Sequence, residues 1–264
     1  MTTTESTLQQ DWTAWHAARE ADLRTPHGWL SLTALEWLAA EPREIPGLPG
    51  TWRATGDGGV EVTATRADGL AVEGTPVDGT VRLEPKDGLP GERVTVGDRV
   101  VEIARRTDSY ALRVRDPRAA TRTAFTGVPA FPVDGRWVVP AVFTAYPEPR
   151  RITVGAVVEG LHHFPTAVGE VRFTLDGTEQ TLVALAGKPD GLSLHFRDAT
   201  SGSTTYGGGR ILKVGEPAAD GTLTLDLNRV VNLPCAFTAF ATCPLPPAEN
   251  TLDVAVEAGE QLPR

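Results

Sequence analysis

The amino-acid sequence predicts an all-β protein, in which antiparallel strands form a sandwich or barrel and an N-terminal helix packs against them. Two observations support this fold class. Roughly a dozen or more short apolar segments are separated by turn residues, as in proteins built of short strands, and 27 glycines and 21 prolines supply the turns. Strands and helical segments do not alternate, so a parallel sheet with crossover helices is not expected.

The helical pattern is confined to the start of the chain. Residues 5–24 are predicted to form a helix, because five residues recur at helical spacing and form one stripe, and Pro26 ends the helical pattern. The stripe consists of Leu8, Trp12, Trp15, Arg19 and Leu23. A second, short helix is predicted between Leu32 and Leu38, because Thr33 and Glu36 have the spacing of a capping box, although tryptophan and leucine there also suit a strand.

Strand-like segments fill residues 41–118, which are predicted to form a small β-sandwich unit after a helical segment at residues 1–40. Asp57-Gly58 and Asp78-Gly79 are dipeptides of the kind found in hairpin turns. Arg113 and Arg115 share one face of a strand, which favours a solvated face. The predicted strands are Val60–Thr65, Val81–Leu83, Arg93–Val96, Val100–Arg105 and Tyr110–Val114.

A second and larger β-barrel or sandwich unit is predicted at residues 137–264. Residues 116–137, rich in proline, glycine and threonine, are the predicted boundary between the units. Asp176-Gly177 is predicted to connect a hairpin. The predicted strands are Trp137–Thr144, Arg151–Val158, Glu170–Leu175, Thr181–Ala186, Leu192–Phe196, Arg210–Val214, Thr222–Leu227 and Leu252–Glu257.

Charge and hydropathy argue against nucleic-acid-binding and membrane-spanning proteins. The net charge is −9 and the basic residues form no long run, which argues against a nucleic-acid partner. The first residues lack the pattern of a secretory signal, and nowhere do about 18 apolar residues run unbroken, so we expect a cytoplasmic protein without a membrane partner. In that compartment the two cysteines are expected to be free thiols.

Several common catalytic motifs are absent from the sequence. It contains no Gly-x-Ser-x-Gly, no phosphate-binding loop, no Gly-x-Gly-x-x-Gly, no His-Glu-x-x-His and no Cys-x-x-Cys. Dehydrogenases, nucleotide hydrolases, zincins and classical lipases therefore lose support. No organic cofactor and no bound metal are expected.

The informative part of the sequence is its last third, where hydrogen-bonding side chains stand among glycines and prolines. Three glycines precede Arg210 and allow positive φ angles or close approach of a partner. Four prolines stiffen the segment around the two cysteines. The segments are Asp198-Ala-Thr-Ser-Gly-Ser-Thr-Thr-Tyr-Gly-Gly-Gly-Arg210, Leu225-Asp-Leu-Asn-Arg-Val-Val-Asn-Leu-Pro-Cys-Ala-Phe237, Ala241-Thr-Cys-Pro-Leu-Pro-Pro-Ala-Glu-Asn250 and Glu257-Ala-Gly-Glu260.

These segments resemble a bacterial and archaeal family known only as domain-of-unknown-function family 1684. The resemblance is free of gaps over residues 198–260 and is weaker elsewhere, including Gly28–Leu32 and Arg113–Pro117. Leu227 stands where the family usually has phenylalanine, and Val231-Asn232-Leu233 replaces Tyr-Asn-Pro. The resemblance implies no known activity or catalytic residues.

Seven residues are the leading candidates for a site. Cys235 is the candidate nucleophile, with His27 or His195 as its base if the fold brings one close, and His162 and His163 are further candidates on the same condition. Tyr206, Arg210, Asn228 and Asn232 are candidates for substrate binding, with Arg210 clamping an anion. Structural alternatives remain open: Arg210 could instead pair with Asp198 or Asp226, and the asparagines could cap turns.

Cys235 and Cys243 leave three interpretations open: buried structural thiols, a catalytic or redox pair, or metal ligands completed by a histidine. His162 and His163 are adjacent, so on a strand they point to opposite faces and are not expected to share one site. His16 is expected at the surface of the first helix.

We therefore expect a small-molecule enzyme, hydrolase-like and without an organic cofactor, acting in a pocket of a C-terminal β-barrel. The alternatives are a non-catalytic protein that binds a small metabolite and a protein-interaction module. A displaced thiol pKa with a buried histidine hydrogen-bonded to Cys235 would favour the enzyme, whereas remote thiols beside a dry cavity would favour the binding protein.

Overall fold

The computed structural model describes residues 3–87, 89, 91–187 and 189–263. Met1, Thr2 and Arg264, at the ends of the predicted first and last segments, lie outside the described residues. Every ladder between described strands is antiparallel, and one long helix stands at the N-terminus, which confirms the all-β fold class. No helix among the described residues has the length and apolarity needed to cross a membrane.

The chain divides into two compact units, which are described separately: Met1–Glu20 with Thr126–Arg264, and Ala21–Phe125. The helices are α1 (Thr3–Leu23) and α2 (Ala120–Thr123). The strands are β1 (Leu32–Trp37), β2 (Arg43–Ile45), β3 (Leu48–Ala54), β4 (Val60–Ala64), β5 (Leu70–Val72), β6 (Thr75–Pro76), β7 (Gly79–Leu83), β8 (Glu92–Val96), β9 (Arg99–Arg106), β10 (Ser109–Arg115), β11 (Val138–Arg151), β12 (Val154–Gly155), β13 (His162–His163), β14 (Thr166–Leu175), β15 (Thr178–Ala186), β16 (Leu192–Phe196), β17 (Arg210–Val214), β18 (Thr222–Asp226) and β19 (Val231–Asn232).

The unit Ala21–Phe125 contains two antiparallel sheets. One has the strand order β1-β10-β9-β8-β5-β6 and the other β2-β3-β4-β7. Apolar side chains from both sheets form one core, in which Trp52 and Val62 of the smaller sheet join Val94, Ile103 and Leu112 of the larger one. Burial of this shared apolar surface is what holds the two sheets together.

The predicted second helix is wrong, because residues Leu32–Trp37 form strand β1 and not a helix. This strand pairs with β10, and Trp37 lies opposite Ala111. The hydroxyl of Thr33 donates a hydrogen bond across the sheet to the backbone oxygen of Val114 and does not cap a helix. Pairing with a long neighbouring strand therefore prevails over the local capping signal.

The two predicted turns of this unit have different outcomes. Asp57-Gly58 lies between β3 and β4, which pair as a hairpin, so that prediction is confirmed. The hairpin prediction for Asp78-Gly79 is wrong: β6 before it pairs with β5, whereas β7 after it pairs with β4. The dipeptide connects strands of two different sheets.

The prediction of a solvated face for Arg113 and Arg115 is wrong. Both arginines are buried and bind the carboxylate of Glu102, with Arg115 Nη2 2.6 Å from its Oε2. Burial raises the pKa of Glu102, but the two guanidinium groups outweigh that effect and hold the pKa below its ordinary value. Trp29 covers both guanidinium groups, at 5.3 and 5.1 Å from its ring centroid.

The second unit is built on a seven-stranded half-barrel sheet with the order β18-β11-β14-β15-β16-β17-β19. One face of the sheet carries the core, in which Val171, Leu182, Leu194, Phe196 and Leu225 are buried. Asp176-Gly177 connects β14 and β15 through a two-residue turn with positive φ at both positions, so this hairpin is confirmed. Strands β12 and β13 form a separate pair.

Two predicted strands of this unit are wrong in whole or in part. The segment Arg151–Val158 is interrupted: β11 ends at Arg151, and Val154–Gly155 forms a separate short strand paired with β13. The segment Leu252–Glu257 belongs to no strand. Scattered bonds hold its backbone: Leu252 and Val254 bond to the backbone of Arg197 and Ala199. The Val256 oxygen accepts from Arg210, and the Val256 N–H donates to Asp198.

Helix α1 confirms the predicted stripe: four of its members are half-buried and Leu23 is buried, while most of the intervening residues are exposed. Within its own unit, Trp12 Nε1 donates to the backbone oxygen of Asn228 at 2.7 Å. Arg19 donates to the backbone oxygen of Asn232 and forms an ion pair with Glu260 at 3.1 Å. The helix therefore packs on the segments that carry the candidate site residues.

Candidate functional site

The structure sorts the polar residues of the last third into two groups within one unit. The first, called here the ion network, comprises Asp198, Arg210, Asn232 and Glu260. The second, called the thiol cluster, comprises Tyr206, Cys235 and Cys243 and has His163 beside its second cysteine.

Arg210 is the centre of the ion network and is 0% exposed. Its Nη2 lies 2.9 Å from Asp198 Oδ2 and 2.8 Å from the Val256 oxygen. Its Nη1 donates to the backbone oxygens of Ala258 and Glu260. The guanidinium therefore pairs with Asp198, which is one of the structural alternatives that the sequence left open. It also bonds to the backbone of residues 256–260, part of which was predicted to form a strand. A role for Arg210 in substrate binding stays a prediction.

The other members of the network complete its hydrogen bonds. Asp198 Oδ1 accepts from the backbone N–H of Thr200, while Glu260 Oε2 accepts from the N–H of Asn232 at 2.6 Å. The Asn232 side chain donates to the Gln261 oxygen. Because these charges are paired inside the protein, the network stabilises the arrangement of the C-terminal segments.

Asn228 has a comparable role in a neighbouring turn. Its side chain both accepts from the N–H of Asp134 and donates to the Asp134 oxygen, at 3.1 Å each. Its Nδ2 also donates to Asp226 Oδ1 at 2.9 Å. These bonds tie two loops together, and a role for Asn228 or Asn232 in substrate binding stays a prediction.

The thiol cluster begins at a short 3-10 turn, Pro234–Ala236, which directly follows β19. Both cysteines are free thiols; Cys235 is partly exposed, whereas Cys243 is 6% exposed. The backbone N–H of Cys235 donates to the sulfur of Cys243, with 3.2 Å between nitrogen and sulfur. Cys243 is held in turn by the segment that follows β12, because its backbone oxygen accepts from the N–H of Val157.

Hydrogen bonds to Cys235 favour its thiolate form. Its side chain hydrogen-bonds with those of Cys243 and Tyr206, and the Cys243 bond is the largest cause that lowers the pKa of Cys235 below its ordinary value. Burial opposes this shift but does not cancel it. The pKa of Tyr206 is raised, first by burial and then by the neighbouring Cys235, so its hydroxyl stays protonated and can donate to a thiolate.

The glycines before Arg210 shape this cluster by close packing. A Cβ atom at Gly208 would lie 2.3 Å from Cε1 of Tyr206, so only glycine leaves room for the ring in its observed position. Gly209 has φ +90° and packs against Pro246 of the segment that follows Cys243. The glycines thus allow Tyr206 and the cysteine segment to approach each other, and the close approach predicted from sequence is one within the protein.

His195 and His163 form a pair in the same unit. His195, on β16, is 6% exposed, and its Nδ1 has no hydrogen-bond partner in the described part of the chain. Burial, followed by the neighbouring His163, lowers the pKa of His195 to about 4, so the imidazole is neutral at pH 7. Nε2 of His163 lies 2.6 Å from the backbone oxygen of Thr242, the residue before Cys243.

The predicted catalytic residues therefore do not all belong to one unit. Cys235 and His195 belong to one unit, whereas the exposed His27 belongs to the unit Ala21–Phe125, where its Nε2 lies 2.8 Å from the Asp98 oxygen. The sequence named His163 only as one of several candidate bases and could not place it beside the cysteines, since it predicted no more than that the adjacent His162 and His163 point to opposite faces. His16 is half-buried and stacks on Trp12 with ring centroids 4.5 Å apart.

Two further features bear on ligand binding. Among residues 3–87, 89, 91–187 and 189–263, no three histidine, cysteine, aspartate or glutamate side chains are grouped so that they could hold one metal ion. An open cavity of about 850 Å³ lies on β11, β14, β15 and β18 and is lined mainly by threonines, Arg172 and Glu179. None of the predicted site residues lines it.

Comparison with known proteins places the candidate site in a recognised family region. Residues 123–261 match the family described as a protein of unknown function, DUF1684. A solved structure is also similar, the solution NMR structure of an uncharacterized protein of Haloarcula marismortui, with 33% identity over 53% of this chain and 78% of that one and a TM-score of 0.44. No curated protein matches the chain.

Proposed function

This chain belongs to the DUF1684 family of proteins of unknown function, and we propose that it is an enzyme in which the thiol of Cys235 attacks a small organic substrate. The observation that carries the proposal is the hydrogen bonding of a partly exposed Cys235 to Tyr206 and Cys243. A structural thiol in a β core needs neither exposure nor donors directed at its sulfur. A nucleophilic thiol benefits from both.

The simplest reaction is hydrolysis of an activated acyl compound. The Cys235 thiolate attacks the acyl carbon, the bond to the leaving group breaks, and the leaving group takes up a proton. Water then attacks the resulting thioester, which releases the carboxylic acid and returns the thiol. Tyr206 and Cys243, whose side chains hydrogen-bond with Cys235, stabilise the thiolate before attack and after release.

The histidines contribute differently from a conventional catalytic base. With its pKa lowered to about 4, His195 is a weak base at neutral pH and does not hold a proton taken from a thiol. Activation of Cys235 is therefore assigned to hydrogen bonds with its thiolate and not to proton transfer to His195. His163 contacts the backbone oxygen of Thr242, the residue before Cys243, and so lies beside the thiol cluster.

A panel of activated esters and thioesters tests the proposal, with the full chain and three variants. We expect turnover by the wild type, its loss in Cys235→Ser, and a smaller decrease in Tyr206→Phe. The matched control is Tyr146→Phe, which removes a hydroxyl bonded to Glu170 and should leave turnover unchanged. Turnover that survives Cys235→Ser would contradict the proposal.

The same panel separates the enzyme from the alternative, a non-catalytic metabolite-binding protein. A compound that slows alkylation of Cys235 without being converted would favour the binding protein. The accumulation of an acyl adduct on Cys235, seen as an added mass, would favour the enzyme.

A further inference from the structure

We propose that Cys235 and Cys243 form a site of reversible oxidation, at which a hydroperoxide converts the two thiols into an intrachain disulfide. The inference goes beyond the proposed function, because it uses the thiol pair and requires no acyl substrate. Its consequence for that function is direct: oxidation removes the nucleophile, and reduction restores it.

The sulfur of Cys243 lies against Cys235. Cys243 Sγ is 3.2 Å from the backbone nitrogen of Cys235, and the Cys243 side chain is close enough to be the largest cause that lowers the pKa of Cys235. A disulfide requires Cα atoms within about 7 Å and sulfurs about 2.0 Å apart. Rotation of a partly exposed Cys235 side chain toward its existing partner can close that gap without a rearrangement of the fold.

Different elements support the two cysteines. Cys235 lies in the 3-10 turn Pro234–Ala236 after β19. The segment of Cys243 is tied by Leu245 N–H to the Gly155 oxygen of β12, and by its own Cys243 oxygen to the N–H of Val157 just beyond that strand. Gly209 packs against Pro246 on the same segment. The thiols are thus held as neighbours by separate elements, so their proximity does not depend on a mobile loop.

The difference in exposure sets the order of events. Cys235 is partly exposed and bonded to Tyr206, whereas Cys243 is buried, so a small oxidant meets Cys235 first. The Cys235 sulfur attacks a peroxide oxygen, the O–O bond breaks, and water or an alcohol leaves, which produces a sulfenic acid. Cys243 then attacks that sulfur, the S–O bond breaks, and a second water leaves with the disulfide formed. The hydroperoxide takes up the two electrons that the thiols lose.

Intact-mass analysis of the reduced full chain treated with hydrogen peroxide tests the inference. The chain contains only two cysteines, so no other thiol competes. We expect a loss of two hydrogen masses, a peptide that joins Cys235 to Cys243, and recovery of the starting mass with dithiothreitol. In Cys243→Ser the reaction should stop at a sulfenic acid on Cys235 that dimedone traps, and Cys235→Ser should show neither product.

Several results would overturn the inference. These are over-oxidation of Cys235 with Cys243 still reduced, disulfide-linked dimers in place of the intrachain bond, or two thiols that react only after unfolding. Failure of the proposed function is a separate result, because absence of ester turnover leaves the disulfide map unaffected. Conversely, turnover by wild type that peroxide does not diminish would show an active Cys235 without the oxidation site.

Discussion

The ion network and the thiol cluster lie in the same unit and in the same family region, yet they differ in access to solvent. Arg210 and Asp198 are buried and form an ion pair, and Arg210 also donates hydrogen bonds to backbone oxygens. Cys235 and Tyr206 are only partly buried; hydrogen bonding to Cys243 lowers the pKa of Cys235, while burial and then Cys235 raise the pKa of Tyr206. Polar residues of one signature therefore form one buried group of paired charges and one group that small molecules can reach.

This comparison gives a criterion for the candidate residues. Breaking the ion network should unfold the protein, whereas breaking the thiol cluster should alter thiol reactivity and leave the fold intact.

Replacement of Arg210 by methionine should have the largest effect on stability. It leaves the buried carboxylate of Asp198 without its partner, and breaking such a pair costs about 3–5 kcal/mol. Urea unfolding followed by tryptophan fluorescence measures the loss. The matched control, Arg172→Met, removes an exposed arginine 3.8 Å from Glu170 and should cost no more than about 1 kcal/mol. Equal losses in the two variants would contradict the structural role of the network.

His195 should make the protein sensitive to mild acid. Its pKa is lowered to about 4 in the folded state, below that of an unfolded histidine near 6.5, so the unfolded state binds more protons between these values. Stability should fall as the pH decreases from about 6.5 to 4, by about 3 kcal/mol at most. Unfolding curves at pH 7 and 4.5 measure this.

The loss of stability between pH 7 and pH 4.5 should be smaller in the variant His195→Gln. It should be unchanged in His162→Gln, which replaces an exposed histidine next to His163 in the sequence. An undiminished acid sensitivity in His195→Gln would assign it to other groups.

Replacement of Gly208 by alanine should have a smaller effect, confined to the thiol cluster. The added Cβ would lie 2.3 Å from the Tyr206 ring and displace its hydroxyl from Cys235. Loss of one hydrogen bond of about 0.5–1.5 kcal/mol should slow alkylation of Cys235 at neutral pH about two- to tenfold. Gly207→Ala is the matched control, because a Cβ there has an ordinary 3.4 Å contact. Equal rates in the two variants would contradict the role of Tyr206.

Local pattern was sufficient to predict much of the fold. The stripe from Leu8 to Leu23 and the turn Asp176-Gly177 depend on nearby residues, and both predictions are confirmed. Predictions failed where distant partners decide the outcome. Leu32–Trp37 becomes a strand because β10 pairs with it, and Arg113 is buried because Glu102 lies across the sheet.

The candidate site was predictable only as a set of segments. The glycines, prolines and two cysteines of the last third indicated which segments pack closely. Which side chains contact each other depends on the order of the strands, which the sequence did not reveal. Asp198 therefore appeared as one of two possible partners of Arg210. The position of His163 beside Thr242 was not predicted, because it arises from the pairing of β12 and β13.

The rate of iodoacetamide alkylation of each cysteine in the native full chain, measured as a function of pH and read by peptide mapping, shows whether Cys235 is an activated thiol. We expect Cys235 to be labelled in the folded protein, with a midpoint below the value of about 8.5 for an ordinary thiol, and Cys243 to be labelled only after unfolding. Labelling of Cys235 only after unfolding, or with a midpoint at or above that value, would contradict this expectation.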